Sequence, residues 1–202
     1  MRRHHVRSAT LLGAALLLLG ANSIAPGPRE VVQTTMDQVI AILKDPSLTK
    51  EVRRDRIVDV AYKQFDFTTM SKLVLAKYWK KFDAAQRESF LKEFKEFLAH
   101  RYGDRIDRFD QEKVEITGER SAAGGDSIVA TQIAAPNGAP VAVEYRLRSH
   151  DGVWRVIDVK VEGISLVSNY RDQFHAVLSQ GGPEDLLTQL RKRNAGQLPD
   201  EG

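Results

Sequence analysis

Hydrophobic residues in the first half of the chain recur at helical spacing. In the segment EVVQTTMDQVIAILKD, which begins at Glu30, they form one stripe that starts at Val32 and ends at Leu43. Pro46 follows and is predicted to end this helix. A charged segment over residues 50–64 predicts a second helix, and FDFTTMSKLVLAKYWKKF over residues 65–82 predicts one or two short helices.

The longest predicted helix begins after Asp83. Gln86 lies three residues later, where its side chain completes a capping box with Asp83. Phe90, Phe94 and Leu98 then recur every four residues, which places three large hydrophobic side chains on one face. This face is predicted to be buried.

From residue 112 the hydrophobic period changes to two, which is typical of strands with one buried face. Short turns rich in Gly, Asn, Asp and Pro separate four such segments, and they predict an antiparallel meander. Two helices follow, over residues 166–180 and from Pro183 onwards. The four predicted strands cover residues 113–119, 127–135, 141–149 and 153–162.

This order of elements predicts an α+β fold. N-terminal helices pack on a curved four-stranded antiparallel sheet, in a cone-like, NTF2-like arrangement with C-terminal helices. The last strand is hydrophobic on both sides. Val153, Ile157, Val159 and Val161 share one side, and Trp154 and Val156 lie on the other. A sheet with one buried face needs only one hydrophobic side, so the cone is either packed solid or hollow around an apolar ligand.

The N-terminus has the features of an export signal. A basic opening, MRRHHVR, precedes the apolar run ATLLGAALLLLGA, and SIA at residues 23–25 provides small residues for cleavage. We predict a signal peptide over residues 1–25, a single domain over 26–193 and a disordered tail over 194–202. The chain has no Cys, and export without disulfides favours a bacterial periplasm.

The net charge of +3 gives little support for nucleic-acid binding. Three of the 30 basic residues lie in the N-terminal opening, and the rest of the chain balances its 27 acidic residues. No nucleotide-binding or hydrolase motif occurs, and the histidines after the opening are too far apart for a metal site. Asp66 is interpreted as a helix cap rather than an acid catalyst. Asp158 and Glu162 are interpreted as a solvated strand face rather than a catalytic pair.

Two stretches resemble the MlaC family, also called toluene-tolerance proteins. The first lies in FDFTTMSKLVLAKYWKKFDAAQRESFLKEF, and its matching positions are Phe65, Asp66, Phe67, Met70, Leu75, Trp79, Gln86, Phe90 and Phe94. The second lies in the last strand and the helix after it, and its matching positions are Asp158, Val161, Gly163, Ser165, Leu166, Tyr170, Arg171 and Phe174. The chain departs from the family at Ala76, where Gly is usual, and a close backbone approach could be lost there.

The resemblance implies a soluble periplasmic phospholipid carrier that performs no catalysis and needs no cofactor besides its lipid cargo. Its implied partners are an outer-membrane lipoprotein–porin complex and an inner-membrane ABC transporter with a lipid-shuttling ring. Its implied role is the maintenance of outer-membrane lipid asymmetry. Exposing the roughly thirty methylenes of a diacyl lipid to water costs on the order of 25 kcal/mol, so a carrier must enclose both chains.

The hydrophobic residues of the predicted helices and strands are the candidates for such an enclosure. Four cations, Arg146, Arg148, Arg155 and Lys160, are candidates for phosphate contact, with a solvated surface role as the alternative. Two other functions remain open: an enzyme of the same cone shape acting on a small apolar substrate, and a periplasmic protein-interaction module without a cavity. The predicted lipid-lining residues are Phe94, Leu98, Tyr102, Val143, Tyr145, Leu147, Trp154, Val156, Ile164, Leu166 and Tyr170.

Overall fold

The computed structural model describes residues 25–106, 113–134 and 138–199. The predicted signal peptide, residues 1–25, lies outside this part of the chain except for its last residue, and it stays a prediction. The same holds for residues 200–202 of the predicted disordered tail. No helix within the described residues is long and apolar enough to cross a membrane.

Six α-helices form most of the described chain, and their starts follow the capping signals of the sequence. Asp83 and Gln86 make the predicted capping box, with distances of 3.1 and 2.8 Å between each backbone nitrogen and the other side-chain oxygen. Asp66 caps the third helix by accepting a hydrogen bond from the backbone N–H of Thr69. A 3-10 helix, Ala76–Lys81, follows that helix. The helices are α1 Pro28–Leu43, α2 Lys50–Gln64, α3 Phe67–Leu75, α4 Ala84–Ile106, α5 Leu166–Gln180 and α6 Pro183–Asn194.

The strands form one antiparallel sheet in sequence order, which confirms the α+β class. The prediction of four strands missed a fifth, because its two residues are too few to show a period of two. Glu162 and Gly163 form the turn before it, with φ of 49° and 83°, the left-handed values that a tight hairpin turn requires. The strands are β1 Val114–Ala122, β2 Asp126–Ile133, β3 Val141–His150, β4 Val153–Val161 and β5 Ile164–Ser165.

A β-bulge in β4 explains why this strand is hydrophobic on both sides in the sequence. Tyr145 pairs with Val159, whereas Leu147, two residues further along β3, pairs with Val156. Ile157 is therefore an extra residue, and the alternation of β4 reverses at this point. The prediction that Trp154 and Val156 lie opposite Val159 and Val161 is wrong, because the bulge places all four on one face. Val153 lies on the other face, opposite His150.

The buried side chains form two hydrophobic clusters. The helical cluster joins α3, α4, α5 and α6 and is rich in aromatic residues. The sheet cluster joins Val31, Val32 and Met36 of α1 to residues of β2, β3 and β4. Phe65, at the edge of β4, packs against both clusters. We call the sheet face that α1 covers the inner face, and the opposite face the outer face.

Candidate functional site

The inner face is hydrophobic, but it is only partly covered. Val129, Leu147 and Val156 lie beneath the first half of α1 and are buried. Towards the opposite end of the sheet, Val161 is 44% exposed and Ile164 is 66% exposed. Other hydrophobic side chains of this face and of the second half of α1 are partly exposed: Ile116, Ile133, Val141, Val159, Val39, Ile40 and Leu43.

Tyr145 lies at the centre of this face. Its strand, β3, is flanked by β2 and β4, and its direct partners are Val129 and Val159. Burial raises the pKa of the Tyr145 hydroxyl, which makes no hydrogen bond to any described residue. The side chain nevertheless keeps part of its surface accessible. A side chain in the middle of a covered face retains accessible surface where the covering helix leaves a space beside it.

The predicted lining residues fall into separate groups. One group comes from the strands and lies on the inner face: Val143, Tyr145, Leu147, Trp154 and Val156. A second group belongs to the helical cluster: Phe94, Leu98, Tyr102, Leu166 and Tyr170. Ile164 alone is mainly exposed, on β5. Their role in lipid binding stays a prediction.

The helical group is largely packed against itself. Phe94 has no exposed surface, and its ring centroid lies 5.4 Å from that of Phe90 and 5.9 Å from that of Tyr170. The hydroxyl oxygens of Tyr102 and Tyr170 are 3.3 Å apart and share a hydrogen bond. Tyr102 and Leu166 border this cluster and remain partly exposed. These two are therefore the members of the group with surface left for a ligand.

The cations considered for phosphate contact lie on the outer face. Arg146 and Arg148 both donate to the buried carboxylate of Asp126, at distances of 2.7 Å from their Nε atoms. Burial alone raises the pKa of Asp126, but the hydrogen bonds from Arg148 and Arg146 outweigh it and hold the pKa below its ordinary value. Lys160 is 3.6 Å from Glu144. This arrangement is that of a paired, charged strand surface.

The candidate acids have structural partners. The Asp66 carboxylate accepts hydrogen bonds from the backbone N–H and the hydroxyl of Thr69, at 2.8 and 2.5 Å. Asp158 accepts from the Ser165 hydroxyl at 2.6 Å, at the start of α5. Glu162 accepts from the backbone N–H of Ala142. Within the described ranges no group of three or more His, Cys, Asp or Glu residues could hold a metal ion.

Two pockets lie away from the inner face. One, of about 600 Å³, lies between α5 and α6 and is bordered by Leu198 and Pro199, which follow α6. The backbone N–H of Gln197 bonds to the carbonyl of Lys192, so this part of the predicted tail folds back on the helix end. The second pocket, of about 390 Å³, lies between Tyr62, Asp66 and Lys95. Neither is bordered by a partly exposed side chain of the inner face.

The chain is similar to three known proteins, one by structure and two by sequence. A structure of a phospholipid-binding protein from Ralstonia solanacearum, solved in complex with a phospholipid, superimposes with a TM-score of 0.75 at 28% identity, over 84% of this chain and 97% of that one. The intermembrane phospholipid transport system binding protein MlaC of Haemophilus influenzae is 24% identical over 75% of this chain and 71% of its own length. The toluene tolerance protein ttg2D of Pseudomonas putida is 27% identical over 85% of this chain and 81% of its own length.

The family-level comparison covers most of the chain. Residues 33–192 match the sequence model of the MlaC protein family, from within α1 to within α6. The match therefore includes every strand of the sheet and the whole inner face. The chain belongs to the MlaC family.

Proposed function

We propose that this protein is a periplasmic phospholipid carrier that holds the acyl chains of its cargo against the inner face of the sheet. One observation carries the proposal: Tyr145, at the centre of a covered hydrophobic face, keeps accessible surface. A relative of the same fold was solved in complex with a phospholipid, which supports a phospholipid as the occupant of this space.

The chemistry of the inner face suits acyl chains. Its partly exposed side chains are aliphatic, and an acyl chain placed on them would remove about 0.8 kcal/mol of unfavourable hydration per methylene. Such contacts are non-directional, so chains of different length and saturation are held with similar affinity. The charged side chains of β3 and β4 lie on the outer face, away from this surface. Binding without strong polar contacts also allows the lipid to leave again.

The proposed location and partners follow from the family. After removal of the predicted signal peptide, the protein would take lipid from one membrane system and deliver it to the other. Its proposed partners are an outer-membrane lipoprotein–porin complex and an inner-membrane ABC transporter with a lipid-shuttling ring. The proposed consequence is lipid asymmetry of the outer membrane, with no covalent chemistry and no cofactor.

Mass spectrometry of the protein purified from cells tests this proposal. Under native conditions we expect a population whose mass exceeds that of the polypeptide by one or more phospholipids, and solvent extraction should recover diacyl lipid. A uniformly ligand-free protein with no extractable lipid would contradict the proposal. A small apolar metabolite in place of a phospholipid would favour the enzyme alternative instead.

A further inference from the structure

A basic patch surrounds the 3-10 helix that follows α3. It consists of Lys72, Lys77, Lys80, Lys81 and Arg87. All four lysines are exposed, and none of them forms an ion pair with a described residue. The sequence contains no acidic residue between positions 66 and 83. The patch is therefore a concentration of uncompensated positive charge on a domain that is nearly neutral overall.

Two aromatic rings hold four of these cations in place. The ammonium groups of Lys77 and Lys81 lie 5.2 and 5.1 Å from the ring centroid of Tyr78, which is itself buried. Lys72 and Arg87 lie 5.9 and 5.0 Å from the ring of Trp79.

Lys80 is the fifth cation, and its position follows from the geometry of the 3-10 helix. A hydrogen bond to the backbone also holds Arg87 beside this helix. Lys77 and Lys80 are three residues apart in a 3-10 helix and so lie on the same side. Arg87 Nε also donates to the carbonyl oxygen of Trp79 at 3.2 Å. The five cations therefore lie around one short helix.

The patch lacks the groups that usually anchor a protein partner. Protein interfaces are depleted in Lys and are centred on exposed aromatic or apolar side chains. Trp79 is only partly exposed and already has cations over its ring, so it is a poor anchor. A layer of anionic lipid head groups needs only positive charge for binding. The exposed large hydrophobic residues of the described chain all lie elsewhere: Val52, Tyr62, Val153, Val161, Ile164 and Leu198.

We propose that the basic patch docks the protein on lipid surfaces that contain anionic phospholipid. This inference rests on the proposed carrier function, because the proposed partner complexes lie in membranes and the carrier has to approach those membranes to exchange its cargo. Lysine-based contacts of this kind are weakened by salt and exchange rapidly. Docking through them is therefore reversible, as delivery requires.

Vesicle co-sedimentation at low salt tests the docking surface. The vesicles are made of equal parts phosphatidylglycerol and phosphatidylcholine, with pure phosphatidylcholine as the reference. The variant Lys77→Gln/Lys80→Gln/Lys81→Gln should bind the anionic vesicles about 100-fold more weakly than the wild type, since each lysine near a charged surface contributes about fivefold. A matched control, Lys44→Gln/Arg56→Gln/Lys63→Gln, removes the same charge from exposed positions on and beside α1 and α2.

The control triple variant should bind within about twofold of the wild type, because surface attraction decays over roughly one Debye length. If the wild-type protein does not bind the anionic vesicles, the proposal is overturned. This also holds if the wild-type protein binds an acidic protein instead. Equal binding by all three proteins would overturn it as well, and so would an equal loss in both variants.

Lipid extraction from the same protein preparations, before vesicles are added, separates the two proposals. Protein that docks on vesicles but never contains phospholipid would refute the carrier function alone. Protein that contains phospholipid but does not bind the vesicles would refute only the docking role of the basic patch.

Discussion

Ala76, at the end of α3, has an unfavourable backbone conformation for a residue with a side chain. Its φ of 46° with ψ of −120° is a combination that side chains disfavour and that Gly tolerates. The residue is exposed, so this backbone conformation at the end of α3, and not a close approach of another backbone, would favour Gly at this position.

Replacing Ala76 with Gly is expected to stabilise the protein. Relief of the strain should raise the free energy of unfolding by about 1 kcal/mol, which includes the opposing entropy of Gly in the unfolded chain. Urea denaturation followed by circular dichroism measures the change. Ala176→Gly, at an exposed position inside α5, is the control and should lower stability by about 1 kcal/mol. Equal losses in both variants would show that Ala76 is not strained.

The buried carboxylate of Asp126 pairs with two arginines of the outer face. Replacing it with Asn should lower the free energy of unfolding at neutral pH by about 2 kcal/mol, because Arg146 and Arg148 lose their partner. Both guanidinium groups retain contact with water, at 37% and 29% exposure, which keeps the loss below that of a fully buried pair.

The pH dependence of this loss follows from the lowered pKa of Asp126. The unfolded carboxyl has a pKa of about 3.9, so its contribution to stability is fully present above about pH 5 and disappears as the pH falls through the lower folded value. Urea denaturation of the wild type and of Asp126→Asn should therefore give converging stabilities in acid. If the difference in free energy of unfolding between the wild type and Asp126→Asn stays constant to pH values below the folded pKa, the lowered pKa of Asp126 is contradicted.

At the level of the elements, the sequence predicts what depends on local periodicity and capping. The helices, the Asp83–Gln86 capping box and the four longer strands agree with the structure. The pairing of β3 with β4 includes a bulge at Ile157, and a bulge arises from the partner strand as much as from its own residues. Which side of β4 faces α1 could therefore not be read from the alternation of hydrophobic residues.

The same limit applies to the candidate site. Tyr145 and Trp154 were predicted and lie on the inner face, whereas Val159 was not predicted because the bulge hides its relation to Val156. Phe94 on α4 and Tyr170 on α5 each belong to a hydrophobic stripe with helical spacing. That spacing cannot distinguish a side chain packed on its neighbours from one that lines a space. In the structure they pack on other aromatic rings.

Filling the space beside Tyr145 should displace lipid. Val159→Trp places an indole on the inner face next to Tyr145 and is expected to reduce co-purified phospholipid by about tenfold, because overpacking a confined space is unfavourable. Val153→Trp is the control on the outer face of the same strand, where the side chain is 51% exposed. Phospholipid is quantified per protein after extraction.

If Val159→Trp fails to fold by circular dichroism, Val159→Phe gives a smaller filling with the same expected direction. An unchanged lipid content in a folded inner-face variant would show that the chains lie elsewhere.

At the scale of the whole molecule, the two hydrophobic clusters have different roles in this account. The helical cluster is closed by its own aromatic contacts and supplies stability. The sheet cluster is closed only beneath the first half of α1, and the remaining inner face is left for cargo. The charged residues of β3 and β4 lie on the outer face, where they do not oppose apolar binding.

The central claim is that acyl chains lie on the inner face, and photocrosslinking with a phospholipid that carries a diazirine near the end of one chain tests it most directly. After irradiation and proteolysis, peptide mass mapping should locate the label on β3, β4 and the second half of α1, at residues such as Tyr145, Val159 and Ile40. Labels confined to the pocket between α5 and α6, at residues such as Val177 and Leu186, would contradict the account.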